Sequence, residues 1–260
     1  TQEASEADVI VLNSCVVRQS AEDRVTGMLG IARRLKRERN DRIVALMGCM
    51  VGPKKDDLRR RFPQVDVFMQ PQDYNPLLEL LADQMDIDLE GCIGPLVASH
   101  PDIATYIPII HGCDKFCSFC IIPYRRGREK SRPIPEIVRE AELLAQRGVR
   151  EITLLGQNVD SYGHDLENQS GLATLLEAVH EVSGIDRIRF LTSHPNDMSE
   201  RIIEAVAGLP KVCENINLPF QAGDDEVLQR MRRNYTNDEY RNLIERIRKT
   251  IPDVAMTTDL

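Results

Sequence analysis

The sequence lacks the features that mark membrane proteins, secreted proteins and strongly basic proteins. No apolar run in its 260 residues approaches the length of about 20 residues that a membrane-spanning helix requires, so a membrane protein is not expected. Nothing in it resembles a secretory signal, so a reducing, cytoplasmic location fits its seven cysteines better than a set of disulfides. The formal net charge is −8, so the overall charge gives no indication of nucleic-acid binding.

The basic residues are nevertheless clustered. Two clusters, at residues 33–39 and 54–61, fit solvated faces of helices. A third cluster, at residues 125–132, directly follows a cysteine-rich loop. A phosphate contact and a solvated loop are equally open interpretations of this third cluster.

Three cysteines lie within eight residues at a C-x₃-C-x₂-C spacing: Cys113, Cys117 and Cys120. Iron–sulfur clusters are normally held by four cysteines, so three thiolates on one loop leave one iron of a four-iron cluster open to another ligand. Zinc sites usually carry a second Cys or His pair downstream, and none follows here. Three cysteines so close together cannot all form disulfides with one another. The spacing therefore favours a cluster over zinc or structural thiols.

The first third of the chain alternates strand and helix patterns, which predicts a small parallel α/β domain over residues 1–85. Strands are predicted at residues 8–13, 42–47 and 65–69, and helices at 17–39, 54–61 and 73–85. Cys15 and Cys49 each follow a predicted strand, at the edge where open α/β sheets bind ligands. Taken alone, both cysteines are better interpreted as buried small hydrophobic residues.

The remainder of the chain predicts a partial (β/α) barrel of the TIM type over residues 105–260, after a linker at 86–104. Cys92 lies in the linker without a partner at metal-ligand spacing, and Cys213 is interpreted as a core residue in a strand. Five strands are predicted at 106–110, 151–155, 188–191, 212–218 and 254–258, with helices at 134–147, 172–182, 200–206, 224–231 and 238–249. Polar residues follow three of these strands: Gln157, Asn158, Ser193, His194 and Gln221. Turn chemistry explains any one loop, but a shared binding mouth explains all of them better.

The cysteine loop, with Phe119 just before its last cysteine, resembles the signature of the radical S-adenosylmethionine (SAM) superfamily. The resemblance implies a [4Fe-4S] cluster whose open iron binds SAM, and reductive cleavage of SAM to a 5′-deoxyadenosyl radical. It also implies that Phe119 and the five polar residues after the strands line the SAM and substrate pocket. His194 is in addition a candidate general base, although a radical reaction does not require one.

Residues 13–18 and 47–50 resemble the amino-terminal domain of the methylthiotransferase branch of this superfamily. The resemblance implies that Cys15 and Cys49 hold a second, auxiliary [4Fe-4S] cluster, with a third ligand expected upstream of residue 1. The chain starts without Met and ends on a strand-like run, so we expect it to be part of a longer protein. The resemblance also implies a carboxyl-terminal RNA-binding domain, which we expect to lie outside these residues.

Residues 121–129 and 154–162 most resemble the tRNA-modifying members of this branch. The resemblance implies replacement of the C2 hydrogen of N6-dimethylallyladenosine, next to the anticodon, by a methylthio group, with SAM as both methyl donor and radical source. It also implies tRNA and an electron donor protein as partners, and we expect a monomer. Two alternatives stay open: relatives that modify threonylcarbamoyladenosine in tRNA or an aspartate of a ribosomal protein, and a non-enzymatic iron–sulfur module.

Overall fold

The computed structural model describes residues 3–15, 19–52, 55–71, 73–85, 101–167 and 170–259. By their contacts the residues form two compact units, one of Thr1–Gly94 with Tyr124–Arg126 and one of Pro95–Pro123 with Gly127–Leu260. The predicted helix starts at residues 17 and 54, most of the predicted linker, and Cys92 lie outside the described residues. The domain limits drawn from the sequence stay a prediction.

The first unit is a three-stranded parallel sheet with alternating helices, as its sequence pattern predicts. Its elements are β1 (Val9–Ser14), α1 (Gln19–Glu38), β2 (Ile43–Gly48), α2 (Asp56–Arg61), β3 (Val67–Met69) and α3 (Asn75–Met85). The central strand, β2, is apolar because both of its faces are buried, so that alternate residues pack into two different hydrophobic clusters. Leu46 packs in a cluster with Leu29 of α1, whereas Ala45 packs in another cluster with Leu77 of α3.

The second unit carries the remaining elements. They are β4 (Ala104–Pro108), β5 (Ile110–His111), α4 (Ile122–Arg126, which spans the limit between the units), β6 (Lys130–Ser131), α5 (Ile134–Gln146), β7 (Glu151–Leu155), a 3₁₀ turn (Val159–Ser161), α6 (Leu172–His180), β8 (Arg187–Phe190), α7 (Glu200–Gly208), β9 (Asn215–Asn217), α8 (Asp225–Arg230), α9 (Asn237–Thr250) and β10 (Ala255–Thr257). Ser199, Asp224 and Thr236 start α7, α8 and α9 as N-caps whose side chains accept backbone N–H bonds.

The five predicted strands of this unit form a parallel arrangement, as expected for a partial β/α barrel. β4, β7 and β8 pair in that order, and β9 pairs with β10. A single parallel bridge between Ile188 and Val212 joins β8 to the segment that enters β9. The carboxyl ends of these strands therefore point to one face, where β/α barrels place their chemistry.

The structure differs from the sequence prediction at three places. The run predicted as one strand at 106–110 is divided: β4 ends at Pro108, and β5 pairs antiparallel with β6. The two-residue strands β5 and β6 and the short helix α4 have no periodic pattern of apolar residues, so they were not predicted. Cys213 precedes β9 and is half-buried, so its interpretation as a core strand residue is wrong.

Among the described residues, no helix is both long enough and apolar enough to cross a membrane.

Gly48 is the last residue of β2 and lies opposite Ser14 of β1, where the backbone leaves no room for a side chain. Its φ is +98°, and a Cβ there would lie 2.3 Å from the carbonyl oxygen of Ser14. Replacing Gly48 with Ala should therefore destabilise this unit by more than about 1 kcal/mol, since the left-handed conformation alone costs that much. Hydrogen exchange in β1 and β2, followed by mass spectrometry, measures the loss.

The matched control is Gly30→Ala in α1, where an added Cβ meets nothing within 4 Å. This change should stabilise the helix by up to about 1 kcal/mol, because alanine has the higher helix propensity. Equal exchange protection in the Gly48→Ala variant and the wild type would contradict the expected strain.

Candidate active site

The cysteine loop, residues 112–129, is closed at its base by the antiparallel pairing of β5 with β6. Gly112 opens the loop with a φ of +75°, and a Cβ there would lie 2.1 Å from the carbonyl oxygen of Arg128. The backbone N–H of Cys113 donates to the carbonyl of Gly127 at 3.2 Å. Only glycine fits this approach, so residue 112 brings the two ends of the loop together.

The three thiols of the loop differ in exposure. Cys117 is buried, whereas Cys113 and Cys120 are half-buried, and the backbone N–H of Cys120 donates to the carbonyl of Cys117 at 3.0 Å. Burial raises the pKa of the Cys113 thiol to about 11, so a metal must displace a proton to bind there.

Within the described ranges, no three His, Cys, Asp or Glu side chains converge closely enough to hold one metal ion. Cysteines that hold a four-iron cluster bind separate iron atoms, so their sulfurs need not converge on one point.

A shared carboxylate, that of Asp197, fixes the cysteine loop against the strand ends. Lys115 of the loop forms an ion pair with it at 2.7 Å, and the amide nitrogen of Asn158, after β7, donates to it at 2.6 Å. The backbone N–H of Ser118 also donates to the carbonyl of Met231 at 3.1 Å. The loop is therefore held from two sides within the second unit.

Three of the predicted pocket residues carry buried polar atoms without a partner among the described residues. These atoms are Oε1 of Gln157, Oδ1 of Asn158 and Nε2 of His194. Buried polar groups are nearly always hydrogen-bonded, so each unpaired atom needs an explanation. A bound polar ligand at the strand ends supplies one.

His194 is held as a neutral donor. Burial, followed by the nearby positive charges of Arg233 and Lys115, lowers its pKa to about 3. Its Nδ1 accepts the backbone N–H of Asn196 at 3.3 Å, so this bond places the ring proton on Nε2. The unpaired Nε2 therefore offers a hydrogen bond to a ligand, and this arrangement favours a donor role over that of a general base.

Asp160 is a buried carboxyl that sequence reasoning missed. It accepts the hydroxyl of Ser193 and the backbone N–H of His194, both at 3.0 Å. Burial raises its pKa to about 7, against the opposing effect of these two hydrogen bonds. Asp160 thus ties the loop after β8 to the loop after β7.

The other predicted pocket residues, Ser193, Gln221 and Phe119, are not among those with unpaired buried polar atoms. The hydroxyl of Ser193 is occupied by Asp160, so its contribution is to the loop conformation. Gln221 has a φ of +73°, and its backbone N–H donates to the carbonyl of Asp259 at 3.0 Å. Phe119 is 54% exposed, between two cysteines of the loop.

Asp160 and Asp197 could have been found from the sequence, because each lies a few residues past a predicted strand. Arg233, which contacts Cys117, gives no such signal because it follows a helix.

In the first unit, Cys15 and Cys49 follow neighbouring strand ends. Ser14 pairs with Gly48 in the sheet register, and the backbone N–H of Cys49 donates to the carbonyl of Ser14 at 3.0 Å. Cys15 is exposed and Cys49 is buried, so the two cysteines are not both the core residues that the simpler interpretation required. The Nε of Arg126, which groups with this unit, donates to Sγ of Cys49 at 3.1 Å.

Two family models match the chain. The one described as the radical SAM superfamily matches residues 107–260. The other, described as Uncharacterized protein family UPF0004, matches residues 1–70.

Curated relatives match nearly the whole chain. It is 51% identical over 257 residues to the tRNA-2-methylthio-N(6)-dimethylallyladenosine synthase of Roseiflexus sp. (strain RS-1), with 98% of this chain and 54% of that protein covered. The synthase of the same name from Herpetosiphon aurantiacus is 46% identical over 260 residues, with 100% of this chain and 59% of that protein covered. The chain therefore spans somewhat more than half the length of these relatives.

Solved structures show the same fold at low identity. The cobalamin-dependent SAM radical enzyme OxsB, with aqua-cobalamin and SAM bound, matches with a TM-score of 0.67 at 13% identity, covering 98% of this chain and 41% of that one. The radical SAM methyltransferase TsrM from Kitasatospora setae, with cobalamin and a [4Fe-4S] cluster bound, matches with a TM-score of 0.67 at 16% identity, covering 96% and 57%. At these identities the likeness concerns the fold alone.

The raised pKa of Asp160 predicts a pH-dependent stability difference between the wild type and Asp160→Asn. The folded pKa of about 7 lies above the ordinary value of 3.8, so the folded state holds an extra proton between these values. As pH rises from about 4 to 7, the metal-free wild type should lose on the order of 2–4 kcal/mol relative to the variant. Urea denaturation followed by circular dichroism at several pH values measures this difference.

The exposed Asp253 provides the control, and an Asp253→Asn variant should follow the wild-type curve. An amide at residue 160 can still accept the N–H of His194, and the Ser193 hydroxyl can rotate to accept from it. A wild type that gains stability relative to Asp160→Asn as pH rises would show that the sign is wrong.

Proposed function

Because the chain belongs to the radical SAM superfamily, we propose that it carries the active site of a methylthiotransferase that modifies tRNA. The reaction replaces the C2 hydrogen of N6-dimethylallyladenosine, next to the anticodon, with a methylthio group. The observation that carries the proposal is the match of nearly the whole chain to curated synthases of that name. The superfamily and the α/β fold expected from the sequence are confirmed by the family match and the parallel strands.

The superfamily uses SAM and a [4Fe-4S] cluster, which together supply the radical that breaks an unactivated C–H bond. We assign the cluster to Cys113, Cys117 and Cys120. The site fits such a group, because the loop that carries the thiols is closed at Gly112 and anchored through Lys115. These residues hold the thiols in place and leave one coordination position without a protein ligand.

The pocket residues complement the polar groups of SAM. The unpaired oxygens of Gln157 and Asn158 accept hydrogen bonds, and Nε2 of His194 donates one. SAM presents amino and hydroxyl donors together with carboxylate and adenine acceptors, so both kinds of protein group find partners. Phe119 offers an exposed aromatic face, which suits the adenine ring. Ser193 and Gln221 support the pocket through the conformation of their loops.

A second [4Fe-4S] cluster belongs to the proposal, with Cys15 and Cys49 as two of its three ligands. Support comes from the sheet register, which sets both cysteines after paired residues at one edge of the first unit. Held by these cysteines, such a cluster would supply a binding site for the sulfur atom that is inserted. Its third ligand is expected upstream of residue 1.

The tRNA contact is assigned to the basic residues at 125–132. The guanidinium of Arg132 is not available for phosphate, because it forms an ion pair with Glu140 at 2.7 Å and donates a hydrogen bond to the carbonyl of Pro108 at 2.8 Å. The exposed Lys130 and Arg128 are better placed for phosphate, although Arg128 also pairs with Asp114. An anticodon loop can present an unstacked base to such a site.

The proposal also includes a cytoplasmic location, a monomeric state and a protein electron donor. Selectivity among tRNA substrates is assigned to the pocket. A site shaped for an apolar prenyl group rejects the charged threonylcarbamoyl group, because burial of unpaired polar groups is costly.

The decisive experiment offers the anaerobically reconstituted full-length protein three substrates: prenylated tRNA, threonylcarbamoylated tRNA and the ribosomal protein. We expect methylthiolation of the first only, measured by mass spectrometry, together with 5′-deoxyadenosine. A triple alanine variant of Cys113, Cys117 and Cys120 should form neither product, since it lacks all three proposed ligands.

Each of the other outcomes has a distinct meaning. Methylthiolation of either of the last two substrates, with none of the first, would overturn the substrate assignment. A protein that binds iron but never cleaves SAM would support the non-enzymatic module.

The auxiliary cluster predicts a separate phenotype for alanine replacements at Cys15 and Cys49 in the full-length protein. Such a variant should lose about half of its iron, because one of two clusters of equal size is removed. It should keep reductive SAM cleavage but lose sulfur insertion. Iron analysis and the two product assays measure these effects, and Cys213→Ala serves as the control. Full iron content in the double variant would rule out this cluster.

A further inference from the structure

We propose that Arg233 is a positioning residue that binds the thiolate of Cys117 and raises the reduction potential of the cluster that this thiolate holds. The inference rests on the proposed [4Fe-4S] cluster at Cys113, Cys117 and Cys120. It adds an electrostatic control of how easily that cluster accepts the electron needed for SAM cleavage.

The guanidinium of Arg233 is buried, with 5% of the residue exposed. Its Nη1 donates to Sγ of Cys117 at 3.5 Å, a normal length for a hydrogen bond to sulfur. Its Nη2 donates to the carbonyl of Pro219 at 3.2 Å, and its Nε donates to the hydroxyl of Tyr235 at 3.2 Å. Each nitrogen of the planar group therefore has a fixed acceptor, and one acceptor is the cysteine sulfur.

The charge of Arg233 lacks a carboxylate counterpart. Among the described residues, no Asp or Glu oxygen forms an ion pair with it, and the ring of Tyr235 lies 5.4 Å from its Cζ. A carbonyl and a phenol are neutral, so they leave a buried positive charge uncompensated, which is costly. A thiolate bound to iron supplies the missing negative charge at the remaining acceptor.

The backbone around Arg233 is arranged to hold this side chain inward. Arg232 and Asn234, on either side, have φ values of +59° and +55°, a region that residues other than glycine seldom adopt. The amide of Asn196 donates to the carbonyls of Arg233 and Asn234 at 3.3 and 3.0 Å, which fixes the turn. Strained backbone that is held in this way often marks a functional position.

The cysteine loop is tied to the same turn from its own side. The backbone N–H of Ser118 donates to the carbonyl of Met231, two residues before Arg233. The hydroxyl of Tyr235, which accepts from Arg233, donates in turn to the carbonyl of Phe220 at 2.7 Å. The distance between the guanidinium and the sulfur is thus set by both segments rather than by a mobile side chain.

This geometry affects the two redox states of the cluster unequally. Reduction adds one negative charge, and a nearby positive charge stabilises the more negative state more strongly. Hydrogen bonds to ligand sulfurs and the charge around a cluster are among the factors that set its potential. Arg233 therefore favours the reduced state from which SAM is cleaved.

The test is a redox titration followed by electron paramagnetic resonance. It uses the full chain with Cys15 and Cys49 replaced by alanine, so that only the cluster at Cys113, Cys117 and Cys120 contributes. Arg233→Met and Arg233→Gln should each lower the reduced-to-oxidised ratio at a fixed potential by about tenfold, a shift of about 59 mV to more negative values. Arg233→Lys, which keeps the charge, should restore part of the shift.

Arg232→Met is the matched control, because it removes an equal charge from the exposed neighbouring residue. Its cluster should keep the wild-type potential, since solvent screens the exposed charge. A wild-type potential in either neutral Arg233 variant that holds full iron would overturn the inference. If Arg233→Met and Arg233→Gln both lose their iron, Arg233→Lys decides the test. It should show a smaller shift to more negative potential, because lysine keeps the charge without the fixed bond to sulfur, and a wild-type potential in it would also overturn the inference. Iron missing from the parent protein would instead refute the proposed cluster.

Discussion

The shared carboxylate of Asp197 holds the candidate site together. It accepts from Lys115 of the cysteine loop and from Asn158 at the end of β7, so the segment that carries the thiols and the segment that carries the pocket are joined at one group. The side chain of Asp197 is almost fully buried, and a buried carboxylate is stable only when it is paired and hydrogen-bonded. The position of the three cysteines relative to the strand ends therefore depends on this contact.

Buried charges surround the site in a pattern that suits redox chemistry more than acid–base chemistry. Asp160 carries a raised pKa and serves to join two loops, whereas His194 is kept neutral with its proton on Nε2. Neither group is placed as a free base. The positive charge of Arg233 meets a cysteine sulfur instead of a carboxylate, which is the arrangement expected next to an anionic metal group.

Both units place their candidate functional residues according to the same structural rule. In each of them, cysteines or polar residues follow the carboxyl ends of parallel strands, where backbone groups are free and loops can vary. In the first unit, the rule places Cys15 and Cys49 after paired strand ends. In the second unit, the cysteine loop departs from the rule, because a small antiparallel hairpin closes it after β4 has ended. That hairpin permits a long loop with a rigid base.

The sequence by itself determined the features that depend on neighbouring residues. The spacing of Cys113, Cys117 and Cys120 lies within one loop, and the alternation of apolar runs with amphipathic stretches set the order of strands and helices. Tertiary structure alone decided the contacts of Lys115 with Asp197 and of Cys117 with Arg233, whose partners lie 82 and 116 residues apart. Such contacts arise only when distant segments fold together, so they leave no periodic pattern along the chain. Residues such as Asp160 have the composition of ordinary turns, so the sequence marks Asp160 only by its place after a strand, and its burial is seen only in the folded protein.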